Sequence, residues 1–292
     1  YEPSPKDIQA IGKSDLFVYT GGDSDEWVDG MLSSIDKSKL KTLKMMDTVK
    51  LYEEEMSEGM QEEEHEHHHD DKDHHEEDKD HHHDEDKEHH HDDKDNHDKE
   101  HHHDDKEHHH HDGEEGPEMD EHVWTSPANA IQIVKALTET ISGLDKDNAQ
   151  TYQKNAEAYI AKLEKLDKDF HDVIDHAKRK EIIVGDRFPF LYFAKEFGLT
   201  YYAAFPGCST DTEANPATIA FLVDKVKEDH IPVVFHIEMS NEQMSKAIAE
   251  ATGAKNELLN AVHNVSDEEF KKGVTYIDLM NHNVKVLKEA LN

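Results

Sequence analysis

Twenty of the 27 histidines of this 292-residue chain fall between Gln61 and Asp112. Their unit reads His67-His68-His69-Asp70-Asp71-Lys72-Asp73 and recurs loosely at about seven residues. Imidazole is the common ligand of zinc, copper and nickel, and near neutral pH an exposed histidine is mostly unprotonated with a free lone pair. From Glu62 to Glu115 there are 26 acids against 6 lysines, a net of −20 within a chain of −36, so the stretch also concentrates cations by charge. Its chemistry is weak, multivalent metal capture. An acidic solubilising spacer or a tag-like addition is the plain alternative, but a spacer needs charge and not clustered imidazole.

One match inside the tract points elsewhere. His65-Glu66-His67-His68-His69 fits the H-E-x-x-H pattern of metalloproteases, which needs a helix packed in a cleft. Nothing apolar surrounds it, and a run this rich in His and Glu produces the pattern by chance. With no aliphatic or aromatic side chain from Gln61 to Asp112, nothing offsets the roughly 1–2 kcal/mol per residue of ordering its backbone. The expectation is a disordered loop over residues 61–115, inserted in a folded protein.

About 240 residues then remain to fold, enough for two domains of ordinary size. The acid excess argues against nucleic acid, whose phosphates need clustered Lys and Arg. No apolar run approaches the ~20 residues of a membrane span. Cys208 is alone, so there is no disulfide framework and no reading of compartment from cysteine. No signal peptide is read, and a chain starting at Tyr1 without Met is compatible with one removed by processing or truncation.

Ser4-Pro5-Lys6-Asp7 predicts a helix start, with a short helix through Ile11. Leu16 to Tyr19, closed by Gly21-Gly22, reads as a buried strand, Asp23 to Ile35 as a helix, and Leu43 to Leu51 as a further strand. After the tract, Ser126-Pro127 opens a helix through about Ile141 that Gly143 breaks. Asp147 to about Lys178 carries one continuous apolar stripe, Tyr152 to Ile174, and spans roughly 45 Å as a helix. From there strands and helices alternate: 182–184, 189–197, 200–204, 216–227, 231–237, 241–252, 257–259 and 276–291. Such alternation predicts a parallel sheet covered on both faces, with ligands at the carboxyl ends of its strands. Those ends carry Asp186-Arg187, Phe205-Pro206-Gly207-Cys208, His236 with Glu238, and His263.

Five stretches in order carry a family likeness: Tyr1 to Asp7, Gly22 to Trp27, His122-Val123-Trp124 with Ser126-Pro127, Tyr152 to Leu166, and Tyr276 through Met280 and Asn283 to Leu291. On these the chain resembles the zinc-type solute-binding proteins of bacterial ABC metal importers, the zinc and manganese cluster of periplasmic binding proteins. The His-rich loop just before His122 is a mark of the zinc-type members. The resemblance implies an α/β fold of two lobes joined by a long rigid backbone helix: a first lobe over 1–145, whose first strand lies ahead of Tyr1, a helix over 146–179, and a second lobe over 180–292. It implies Zn2+ as transported ligand, a monomer, an ABC permease in the membrane as partner, no enzymatic activity, and a place outside the cytoplasm, in the periplasm or on the outer face of the cell membrane, with a lipid anchor left open.

Residue by residue, the resemblance makes His122 a metal ligand, although composition alone reads a single His beside Trp as structural. The family's first ligand, a His two residues before the Tyr-Glu-Pro stretch, falls ahead of Tyr1. Its third falls on Arg187, whose guanidinium cannot bind a cation, so Asp186 is the oxygen donor expected there, with an Asp–Arg ion pair as the alternative. The fourth falls on His263, one good zinc ligand in place of another, and Glu238 stands in reserve, with His236 alternating against it. Cys208 reads as a small buried filler. A metal buffer or surface adhesin, a zinc hydrolase, and copper or nickel as cargo are the competing readings.

Overall fold

Helix α1 (Pro5–Ile11) starts on a reciprocal cap, with the Asp7 N–H donating to Ser4 Oγ and the Ser4 N–H to the Asp7 carboxylate at 2.8 Å. The structure is a computed structural model that describes residues 3–36, 38–60, 118–209 and 214–292. The histidine tract, its expected disorder and its H-E-x-x-H match lie outside those residues. Strand β1 (Leu16–Tyr19) pairs in parallel with β2 (Lys41–Lys44). Between them, α2 (Trp27–Ser34) presents Val28, Met31 and Leu32 to Phe17, Tyr19 and Leu40. The helix expected from Asp23 begins as a 3-10 turn, Asp23–Asp25. The strand expected over 43–51 is corrected too. After Lys44 the Met46 N–H donates to the Thr20 carbonyl at 3.0 Å, and Met45–Thr48 coils into a 3-10 turn that buries Met46.

Helix α3 (Pro127–Leu144) begins on the Ser126 cap and runs through Gly143 without stopping there, since a glycine within a helix costs only about 1 kcal/mol. Helix α4 (Ala149–Ile174) has 26 residues, roughly 39 Å. It is shorter than its stripe suggested, because Lys146–Asn148 forms a 3-10 turn ahead of it and Asp175 caps its end. It packs on α3 along one side, and buries Leu163, Leu166, Phe170 and Ile174.

The remaining chain alternates β3 (Glu181–Phe188), α5 (Leu191–Phe197), β4 (Thr200–Pro206), α6 (Pro216–Glu228), β5 (Val233–His236), α7 (Gln243–Thr252), β6 (Lys255–Leu258), α8 (Asp267–Lys272) and α9 (Tyr276–Leu291). The four strands are parallel in the order β4-β3-β5-β6. One face packs Val184, Phe188 and Phe235 against α4, α5 and α9, and the other packs Ile183, Ala204 and Val234 against α6 and α7. The fold is thus α/β, two lobes with a long helix between them. Helix α8 is an addition to the predicted elements, started by a capping box of Ser266 with Glu269.

Strand β3 is longer than expected, and its length matters. Asp186 and Arg187 sit within it, beside a shift of register between Val184 and Arg187. Gly185 allows this: a Cβ there would lie 2.6 Å from Ser245 Cα and 2.9 Å from its nitrogen. The bulge re-aims consecutive side chains, sending Asp186 inward and Arg187 toward the pocket described below. Gly185→Ala should push α7 off the strand and cost about 1–3 kcal/mol. An unchanged urea midpoint in that variant would refute the close approach.

Candidate metal centre

His122 is held by backbone and carboxylate together. An antiparallel bridge of Glu53 with Met119, and the Asp120 N–H to the Tyr52 carbonyl at 3.0 Å, lay the 118–122 segment along the chain before the tract. The Tyr192 hydroxyl, which burial pushes up to about 12, donates to the Asp120 carbonyl at 2.7 Å. The Asp120 carboxylate, 1% exposed, accepts the His122 N–H at 2.8 Å and faces Nδ1 of the same residue at 3.3 Å. That contact places the ring proton on Nδ1 and leaves the Nε2 lone pair for a ligand. Val123 behind it is fully buried with Met46, Ile133 and Tyr192.

His263 arrives from the other end of the chain on the loop after β6. Asn283 of α9 clamps that loop at Asn260 by accepting its N–H at 2.8 Å and donating to its carbonyl at 2.7 Å. Val262 takes a left-handed φ of 58°, and the Asn260 side chain accepts its N–H. Glu238 completes the turn. Its two oxygens accept the N–H groups of Ala261 at 2.7 Å, His263 at 2.7 Å and Asn264 at 3.1 Å. Trp124 ties this loop to the His122 segment by donating from Nε1 to the Ala261 carbonyl at 2.9 Å.

The two imidazoles meet in a pocket of about 460 Å³ whose walls include Glu121, Trp124, Arg187 and Glu238. Their ring centres lie 5.8 Å apart with planes at 86°, and Trp124 stands 5.5 Å from His122 and 5.7 Å from His263. Two imidazoles bound tetrahedrally to one zinc at Zn–N distances near 2.0 Å have ring centres roughly 5 Å apart, so small ring movements suffice. Desolvation in the pocket, then the neighbouring His122 and Arg187, hold the His263 pKa below its ordinary 6.5, while Glu238 and Glu121 oppose the shift.

The other expected donors stand differently. Asp186 is buried and does not line the pocket: one oxygen accepts the Arg187 N–H at 2.8 Å and the other the Ser240 hydroxyl. The register shift in β3 leaves this expected oxygen donor off the pocket lining. Glu238 does line the pocket, but its oxygens are engaged by three N–H groups, which makes it a positioning residue for His263. His236 turns to Asn256 and Glu242. Cys208 is half-buried on the pocket wall and not a core filler; its N–H donates to Glu54 at 2.8 Å. Glu54, Glu118 and Cys208 are the one group of three metal-capable side chains gathered within 4.8 Å among the described residues. Burial raises both the Glu54 carboxyl and the Cys208 thiol, which favours proton over metal. Gly207, before Cys208, lets the end of β4 approach the His122 segment: a Cβ there would lie 2.9 Å from the Phe188 carbonyl oxygen, 3.1 Å from Asp120 Oδ2 and 3.2 Å from His122 Cε1.

Residues 1–290 match the family model described as ZnuA, zinc-uptake complex component A, periplasmic. The chain belongs to the ZnuA family. It is 34% identical over 291 residues to the high-affinity zinc uptake system protein ZnuA of Bacillus subtilis, covering 100% of this chain and 76% of that protein. It is 30% identical over 292 residues to the zinc-binding lipoprotein AdcA of Streptococcus pneumoniae, covering 99% of this chain but only 48% of AdcA. The chain thus spans about half the length of AdcA. The Zn(II)-bound ZnuA-like domain of AdcA superposes with a TM-score of 0.68 at 27% identity, over 100% of this chain and 85% of that one. The metal-dependent lipoprotein YcdH of Bacillus subtilis gives 0.70 at 30% identity, with the same coverage.

Within this ZnuA-family pocket, Asp120→Asn should loosen any metal ion held by His122 about 10–100-fold while the protein stays folded, because the ring loses its anchor. Chelator competition measures it, and unchanged affinity would remove Asp120 from the site. Glu238→Gln should cost about 1.5–3 kcal/mol of stability as charged hydrogen bonds are lost, together with a weaker zinc site. A wild-type denaturation curve for that variant would rule out the clamp.

Proposed function

We propose that the chain captures one Zn2+ between its lobes with the Nε2 of His122 and an imidazole nitrogen of His263, and hands it to an ABC permease outside the cytoplasm. The observation that carries this reading is the pair of converging imidazoles, 5.8 Å apart, with Asp120 behind one and Glu238 beneath the other. A nitrogen-rich pair favours zinc over manganese or calcium, which prefer shells of oxygen. The protein acts as a carrier without turnover, in keeping with relatives that are named as binding and uptake proteins.

The lobes divide at residues 145 and 180, with the long helix as the member about which they shift. Because His122 and His263 belong to different lobes, a bound ion holds them together, and a permease can tell loaded from empty protein by their relation. The histidine tract gathers ions weakly and raises their concentration near the pocket, while the paired imidazoles supply affinity. Lipid anchoring, as in the relatives called lipoproteins, keeps this carrier near its permease.

His122→Ala and His263→Ala should each abolish the tight single equivalent in a zinc titration and leave the weaker, multiple binding of the tract. Retention of the tight phase in both would sink the proposal. The pH response separates the two kinds of site. The depressed His263 pKa keeps its lone pair available as pH falls through 6.5, where exposed imidazoles are half protonated. On moving from about pH 7.5 to about pH 6 the weak equivalents should fall first and the tight one persist. Loss of the tight phase ahead of the weak ones would contradict the assignment.

A further inference from the structure

Arg187 is the feature of the pocket that zinc capture by imidazole leaves unexplained. The bulge in β3 places this guanidinium on the same wall as His263, with its side chain 38% exposed. Among the described residues its contacts are slight for a group with five donors: the Ser209 carbonyl at 3.4 Å, and Asp186 Oδ1 at 3.9 Å, beyond hydrogen-bond length. A divalent cation held by two neutral imidazoles therefore enters a space that already contains a fixed positive charge, and like charges in a partly desolvated pocket repel strongly.

Each acid lining the pocket gives at least one carboxylate oxygen to the backbone. Glu238 receives three N–H groups, Glu121 Oε1 accepts the Ser24 N–H at 2.7 Å, and Asp25 Oδ2 accepts the Gly21 N–H at 2.8 Å. Among the described residues, no group of three His, Cys, Asp or Glu side chains that includes His122 or His263 gathers within 4.8 Å. The space is also generous. At about 460 Å³ it exceeds what an ion and a water or two occupy, at roughly 30 Å³ for each water.

We infer that Arg187 holds a small planar oxyanion, carbonate or a simple carboxylate, that bridges the guanidinium and the zinc ion, so that metal and anion are captured together. A carboxylate suits both partners. One oxygen completes the metal's shell, the rest of the group matches the guanidinium fork, and the anion converts a repulsion into two attractions. This inference rests on the imidazole pair proposed above as the zinc site.

The test is zinc affinity of the full chain by chelator competition in carboxylate-free, degassed buffer, alone and with either bicarbonate or acetate added. Cobalt(II) replaces zinc in a parallel series as a visible-spectrum reporter of the metal's shell. With the anion, the tight phase should strengthen about tenfold or more, and the cobalt spectrum should shift. A response to bicarbonate alone identifies carbonate, and a response to both identifies any small carboxylate. Arg187→Gln should bind zinc as the anion-free protein does and lose both responses, and Arg187→Lys, which keeps charge but not the fork, should recover only part of them. Affinity and spectrum indifferent to both anions in the unaltered protein would overturn the inference, as would a full anion response in Arg187→Gln. His122→Ala separates the two ideas. If it abolishes tight binding while the anions have no effect, only the bridging anion falls; if it binds like the unaltered chain, the imidazole site itself falls.

Discussion

The pocket depends on one hydrogen bond across 137 residues of chain, from the Trp124 indole nitrogen to the Ala261 carbonyl. The two imidazoles come from distant stretches of the chain, the His122 ring braced by Asp120 and the His263 backbone by Glu238. Trp124 sits one residue beyond Val123, buried in the seam with Met46, Ile133 and Tyr192, and its own carbonyl accepts the Tyr276 hydroxyl at 2.9 Å. Residue 124 is thereby held through backbone and side chain, and the loop that carries His263 is tied to its indole. Gly207 completes the closure from the opposite wall, where a single methyl would press on Asp120 and His122.

Most of the fold was legible because periodicity and caps are local. The final helix has the bounds read from its apolar spacing, Tyr276–Leu291, and the alternation after residue 180 corresponds to a parallel sheet with helices on both faces. The misses lie where a distant group decides. The turn at Met45–Thr48 is set by a carbonyl in β1's wake, at Thr20. The extension of β3 past Val184 depends on Gly185 fitting against Ser245, which no pattern within the strand reveals.

The pocket was legible in part for the same reason. His122 and His263 were singled out through family motifs, and the structure brings both to one cavity. Asp120 was overlooked because an aspartate two residues before a histidine is unremarked in a chain with 68 acids, and its meaning lies in a buried contact. Composition reads Glu238 as a donor to metal, whereas three backbone N–H groups of a later loop claim it. Asp186 and Arg187 were read as a strand end, and the bulge reversed which of the two reaches the cavity.

The chain has two tryptophans, and they occupy unlike surroundings. Trp27 packs at the edge of the first lobe's small core, while Trp124 stands within 6 Å of both histidine rings. Occupation of the cavity changes the electrostatic field at one indole and leaves the other as an internal reference. An ion held there should therefore be visible without dye or label, as a change in ultraviolet emission from one indole of two, and an ion with unpaired electrons should quench that light more than a closed-shell one.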